Sequence, residues 1–167
     1  PIDIGLGINT GQLMLGTIGG AGRMEGTVIS DAVNVASRVE SLTKTYGAPL
    51  LITDATYVAL KDRDAYGIRC IDRVRVKGKR EPVTLYEILD GESEKARASK
   101  EGTREAYDRG LKALWRRDFT EAVAAFSRCL DQAPGDKAAQ HLYIRAQQFG
   151  EQGIPAEWQS IFHAAEE

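Results

Sequence analysis

The sequence predicts an α+β fold in two unequal parts. A sheet with helices occupies residues 1–91, and an all-α helical-hairpin extension occupies residues 103–167. Three observations carry this. Up to Leu89 the chain is dominated by short alternating or β-branched apolar runs, which read as strands. Among them one stretch, entered at Ser30 and left at Gly47, switches to a helical period with a continuous apolar stripe. After Gly91 the strand pattern stops and only helical periods remain. Residues 92–102 are polar and join the two parts as a linker or as an exposed helix start.

Size and composition narrow the functional classes. A chain of 167 residues can bury a real core. With 22 basic and 24 acidic residues the net charge is −2, and no cluster of positive charge supplies a nucleic-acid footprint. No run approaches the ~18 apolar residues of a membrane span, and no secretory signal pattern is present. Cys70 and Cys129 lie far apart without a CxxC pair and read as buried thiols of a reducing compartment. His141 and His163 are isolated and carry no metal-site signature. The chain opens on Pro1-Ile2-Asp3 without a starting Met, directly in a strand-like run, and is read as a piece of a longer protein.

Ile2, Ile4, Leu6 and Ile8 alternate with Asp3, Gly5, Gly7 and Asn9, a period of two that predicts a strand. Asn9-Thr10-Gly11-Gln12 has turn composition, and residues 13–18 form a second strand, so the pair is expected to be a hairpin. Gly19-Gly20-Ala21-Gly22 is a loop; it lacks the GxxxxGK[ST] pattern of a phosphate-binding loop. Thr27-Val28-Ile29 favours a strand, after which Ser30 or Asp31 can cap a helix. Val35, Val39, Leu42 and Tyr46 share one face of that helix. Asn34, Arg38 and Ser41 share a polar stripe beside it. On spacing alone Asn34 and Arg38 read first as a solvated, incidental pair and only second as a site, although Asn in mid-helix asks for a reason. Gly47 ends the helix. Leu50-Leu51-Ile52 is a short strand, Thr53 or Asp54 caps a helix over 55–61, and residues 66–76 and 83–89 are strands. Lys77-Gly78-Lys79 between them reads as a charged turn or as ammonium groups aimed at a polyphosphate.

The strings Gly7-Ile8-Asn9-Thr10-Gly11, Gly26-Thr27-Val28-Ile29-Ser30-Asp31-Ala32-Val33-Asn34-Val35-Ala36-Ser37-Arg38, Tyr46-Gly47, and Val76-Lys77-Gly78-Lys79 before Pro82-Val83 resemble the C-terminal half of a class III nucleotide cyclase catalytic domain. The resemblance covers about residues 4–89. It implies a partial ferredoxin-like cyclase sheet and a role in an adenylate cyclase, which converts ATP to cyclic AMP and pyrophosphate in a two-metal site of a homodimer. It implies catalytic roles for Asn34, which orients the ribose, and for Arg38, which binds phosphate and stabilises charge in the transition state. It implies substrate binding by Thr27 at the adenine edge, favouring ATP over GTP, and by Lys77 at the terminal phosphates. Ser30 stands where many members have Gly. The family's Mg2+ or Mn2+ ligands and base-selecting lysine are expected upstream of residue 1, so the segment alone is expected to be inactive. The apolar faces of residues 2–18 are expected to lack their neighbours, and exposed edges invite pairing.

In the extension, Gly110, Ala122, Phe126 and Pro134 fall where the tetratricopeptide repeat has its small, small, aromatic and proline positions. Residues 103–136 then read as one helix–turn–helix and residues 137–149 as the first helix of a second unit, broken by Gly150 to Pro155. Trp158, Ile161 and Phe162 form an apolar tail. Such arrays need about three units to bury a core, so this part is expected to cap the cyclase half or to bind a protein partner. The order cyclase then helical extension resembles bacterial sensor adenylate cyclases, which implies the cytoplasmic portion of a membrane-anchored receptor. The competing reading is a non-catalytic cyclase-like dimerisation scaffold with a partner-binding tail.

Overall fold

The computed structural model describes residues 4–20, 23–76, 81–154 and 162–163. In chain order it contains β1 (Leu6–Ile8), β2 (Met14–Gly20), β3 (Arg23–Ile29), α1 (Asp31–Tyr46), β4 (Leu50–Thr53), α2 (Asp54–Ala59), β5 (Ile68–Arg75) and β6 (Val83–Ile88). A single 3-10 turn, Leu89–Gly91, leads to α3 (Glu94–Gly102), α4 (Arg104–Trp115), α5 (Phe119–Gln132), α6 (Lys137–Gln152) and the two-residue β7 (Phe162–His163). The main sheet runs β1-β4-β6-β5-β7, and β2 with β3 forms a separate antiparallel ribbon.

The first strand departs from expectation in its partner, while its apolar face lacks neighbours as expected. β1 does not form a hairpin with the segment that follows; it lies parallel to β4, with Leu6 beside Leu50 and Ile8 beside Ile52. Parallel neighbours need a long crossover, which residues 9–49 supply with α1. β2 pairs with β3 instead, Met14 opposite Ile29. The glycines explain which face is left open. A Cβ on Gly7 would lie 2.2 Å from the Glu40 nitrogen, and one on Gly5 would lie 2.1 Å from Thr43 Oγ1. The glycine face of β1 is therefore pressed against α1, where no side chain fits. Ile4, Leu6 and Ile8 point the other way and are 69%, 54% and 45% exposed.

α1 follows its sequence signals closely. Ser30 Oγ accepts from the Ala32 amide at 3.0 Å and donates to the Gln12 carbonyl at 2.6 Å, capping the helix and tying it to the turn after β1. Gly47 adopts φ 58°, ψ 36° and closes the helix in the left-handed conformation that glycine takes without strain. Val35, Val39, Leu42 and Tyr46 are all buried.

One hydrophobic core runs through both parts of the chain, joining Val39, Leu51, Ile71 and Leu85 to Leu111, Phe126 and Leu142. α4 packs on α5 and α5 on α6. A Cβ on Gly110 would sit 2.9 Å from Phe126 Cε1, so the ring fills the space that the glycine leaves. α6 continues through Gly150 to Gln152, one turn beyond the expected break. Residues 92–102, expected as a linker or an exposed helix start, carry α3, capped by Ser93, and Lys100 within it is buried.

That burial belongs to an ionic cluster between sheet and extension. Arg69 Nη2 donates to Glu87 Oε2 at 2.6 Å and Nη1 to Asp136 Oδ2 at 2.5 Å. Lys100 Nζ donates to Glu87 Oε1 at 2.6 Å and also to Glu92. The Arg69 guanidinium lies 4.2 Å from the Tyr107 ring centroid. Asp136 meanwhile caps α6, accepting from the Ala139 amide at 3.2 Å. Burial pushes the Asp136 carboxyl up, but the Arg69 hydrogen bond and charge outweigh it, so it titrates below the usual carboxylate range.

His141 on α6 gives a pH prediction. Burial disfavours its imidazolium, the nearby Arg145 adds to this, Asp72 opposes both, and the net result pushes its pKa down to about 4. The unfolded chain, titrating near the ordinary value of ~6.5, binds the proton more readily. Stability is therefore expected to fall as pH drops from about 6.5 through about 4. Asp136 adds its loss only at lower pH, in the carboxylate range. Melting temperatures of His141→Gln followed across that window are expected to lose most of the slope. A slope unchanged from wild type would remove His141 as its source.

Candidate functional site

The Asn34–Arg38 face is built by the elements that fix α1. The chain enters α1 from β3, whose Thr27 pairs with Gly16 of β2, and Ser30 turns strand into helix. Asn9 holds the same corner. Its Nδ2 donates to the Ala32 carbonyl at 3.0 Å, and its Oδ1 accepts from Thr53 Oγ1 at 2.8 Å. Thr10 Oγ1 donates to Thr56 Oγ1 at 3.1 Å. The turn after β1 is thus bonded both to the first turn of α1 and to the β4–α2 corner. By composition Asn9 and Thr10 read as turn residues, and the resemblance of their string assigns neither a role. Their signal is an amide and a hydroxyl directly before Gly11, where a Cβ would meet Ala32 Cβ at 2.7 Å.

Asn34 and Arg38 stand one turn apart on α1; Asn34 is exposed and Arg38 half-buried. Ser41, the third member of the polar stripe, donates to the Ser37 carbonyl at 3.3 Å and so turns back on its own helix. Among the described residues Arg38 has no ion-pair or hydrogen-bond partner, whereas Arg69, Arg97, Arg109 and Arg145 each hold a carboxylate. Arg38 therefore keeps a planar fork of donors available on a helix face that is fixed at both ends. Lys77 lies outside the described residues, and for Thr27 the structure gives the strand and its register. The structure thus brings Asn34 and Arg38 together on α1 and sets Thr27 on the strand that feeds it.

An open groove of about 1020 Å³ lies at the N-terminal end of α1, lined among others by Asn9, Thr10, Ser30, Asp31 and Val35. Neither Asn34 nor Arg38 lines it, so the polar stripe borders open surface rather than this groove. Asp54 and Glu81 also reach the groove. Among the described residues, however, no group of three His, Cys, Asp or Glu side chains is placed to hold a metal ion. The described residues alone therefore do not make up the donor set of a two-metal site. Burial pushes both Cys70 and Cys129 up to about 12, with Asp72 the next cause at Cys70 and Asp136 at Cys129, so neither thiol is a nucleophile at neutral pH. Among the described residues no helix is long and apolar enough to cross a membrane.

The chain matches the family model described as adenylate and guanylate cyclase catalytic domain over residues 1–90. It is 42% identical over 137 residues to the terminal-differentiation-specific adenylate cyclase of Dictyostelium discoideum, covering 81% of this chain and 6% of the relative. It is 47% identical over 88 residues to the adenylate cyclase of Anabaena cylindrica, covering 52% of this chain and 18% of that one. The chain therefore spans less than a fifth of the length of either relative. Among solved structures it is similar to the adenylyl cyclase CyaB from P. aeruginosa, at 36% identity and a TM-score of 0.42, over 52% of this chain and 42% of that one. The family model stops at residue 90, so the likeness to the Dictyostelium protein runs on into the helical extension.

Proposed function

The chain belongs to the adenylate and guanylate cyclase catalytic-domain family, and from that premise we propose that α1 contributes the ribose- and phosphate-binding half of a site that converts ATP to cyclic AMP and pyrophosphate. In this reaction a ribose hydroxyl oxygen bonds to the phosphorus nearest the ribose. The bond from that phosphorus to pyrophosphate breaks, and the hydroxyl proton leaves to solvent. Asn34 orients the ribose by its amide. Arg38 holds the phosphate oxygens with its fork and stabilises the charge that grows on them, the interaction that counts most in a preorganised site. Thr27 reads the adenine edge and favours ATP over GTP, and Lys77 holds the terminal phosphates. The carboxylates for Mg2+ or Mn2+ come from upstream in a longer parent protein, which works as a homodimer. On this reading the chain alone is inactive. The helices after residue 102 form a tetratricopeptide-like cap on the cyclase half.

The observation that carries the reading is Arg38 itself. It is a half-buried guanidinium with no partner among the described residues, one turn from Asn34 on a helix held at both ends. Asn34→Ala in the parent protein is expected to lower kcat for ATP by ~10²-fold, because a misplaced ribose oxygen attacks poorly. Melting should be unchanged, since Asn34 is exposed. A cyclic AMP assay with Mn2+, run in parallel on ATP and GTP, measures both this loss and the expected preference for ATP. An Asn34→Ala protein that works at the wild-type rate would remove the ribose role.

A further inference from the structure

Tyr46 is the last residue of α1 and is fully buried. Its hydroxyl donates to Asp72 Oδ2 at 2.8 Å and accepts from Arg145 Nη2 at 3.4 Å, while Arg145 Nη1 donates to the same Asp72 oxygen at 2.5 Å. The three residues come from α1, β5 and α6. Asp72 reaches inward because β5 is irregular between Cys70 and Asp72, which leaves the consecutive residues Ile71 and Asp72 both buried. Such bulges re-aim a side chain. Beside this triad the Tyr46 and His141 rings meet edge to face at 5.3 Å. At the start of α6, the Lys137 side chain covers Gly47, where a Cβ would lie 2.5 Å from Lys137 Cδ. Helix α6 of the extension thus holds the C-terminal end of α1 at two levels.

The consequence is mechanical. α1 is one unbroken helix, ~24 Å long, and Arg38 lies about two turns from Tyr46. Ser30 and Asn9 hold its other end. A tilt or slide at Tyr46 would therefore be a displacement of the Arg38 side chain. Burial keeps the Tyr46 phenol above its ordinary range, and the Asp72 charge acts the same way, so the hydroxyl stays a donor throughout the working pH range. The likeness to the Dictyostelium adenylate cyclase continues past the cyclase half into these helices, as it would if the two parts work as one unit.

We propose that Tyr46, Asp72 and Arg145 form a positioning lock through which the helical extension sets the orientation of α1 and so the placement of Asn34 and Arg38. The three are positioning residues and touch no substrate. The proposal rests on the reading that Arg38 holds the nucleotide phosphate.

Tyr46→Phe is the test. It deletes one oxygen, keeps the ring against His141 and leaves the Arg145–Asp72 pair in place. In the parent protein, assayed for cyclic AMP with Mn2+ and ATP, kcat is expected to fall ~5- to 10-fold with KM within about twofold, since the loss concerns transition-state placement rather than ground-state binding. Amide exchange across residues 34–46 is expected to quicken. The double variant Tyr46→Phe/Arg38→Ala should be no slower than Arg38→Ala alone, because residues that act through one group are not additive. A merely structural role would instead multiply the two losses, and that result overturns the lock. Wild-type kcat in Tyr46→Phe, with Arg38→Ala impaired, overturns the lock and leaves the site reading standing. If Arg38→Ala is unimpaired, the site reading itself fails. The lock then stands or falls on amide exchange: unchanged protection of residues 34–46 in both Tyr46→Phe and Arg145→Lys refutes it.

Discussion

Replacing Arg38 by alanine in the parent protein is expected to lower kcat for ATP by about 10²- to 10³-fold, the usual cost of removing one preorganised donor from charge that develops in a transition state. KM should change by no more than a few-fold, because the contact strengthens as the phosphorus gains its fifth oxygen rather than when ATP first binds. The fold supplies the control. Arg38 has no ion-pair or hydrogen-bond partner among the described residues, so the variant should melt within ~0.5 kcal/mol of wild type. Arg38→Lys should recover little, since an ammonium presents a point charge where a planar fork is needed. A large loss of activity without a loss of stability separates substrate binding from packing. An alanine variant with wild-type kcat would place the phosphate contact elsewhere.

The largest effect on stability is expected at Arg69. Arg69→Met fits the space roughly but leaves Glu87 and Asp136 buried, with only Lys100 to answer the first. Removing one partner of a buried ion pair costs ~3–5 kcal/mol, mostly because the remaining charge is stranded. In a chain of this size each kcal/mol lowers Tm by about 2–4 °C, so a fall on the order of 10 °C is expected. The loss should centre on the seam between sheet and extension, since Asp136 also caps α6. Adding Asp136→Asn should recover part of it, by neutralising one stranded carboxylate while keeping an N-cap side chain. A thermal melt of Arg69→Met within 2 °C of wild type, with 2 °C taken as about the effect of a single kcal/mol, would show that the ionic cluster does not hold the two parts together.

Local signals were legible where local physics decides. Ser30, Thr53 and Gly47 cap helices as their residue types predict, and the stripe from Val35 to Tyr46 is buried as its period requires. β1 was legible as a strand, and its apolar face as one without neighbours, but its partner was not. Apolar alternation normally marks the inward face, yet here the backbone of α1 comes so close that only Gly5 and Gly7 fit beneath it. The seam was the least legible part. A charged residue on a strand or a polar stretch such as residues 92–102 reads as solvated surface. Arg69, Glu87, Lys100 and Asp136 are buried only because partners up to 67 positions apart meet, and no local window contains that information. At the site, the spacing of Asn34 and Arg38 placed both on one helix face. The role of Asn9 in bracing that helix depends on contacts with Ala32 and Thr53 that the turn itself does not reveal.

The reaction itself is tested most directly by incubating the parent protein with Mn2+ and ATP and separating the nucleotide products over time. The proposed site predicts cyclic AMP and pyrophosphate released in equal amounts, with GTP turned over more slowly. Conversion of ATP to ADP and phosphate, or no cyclic product from either nucleotide by the folded protein, would contradict it.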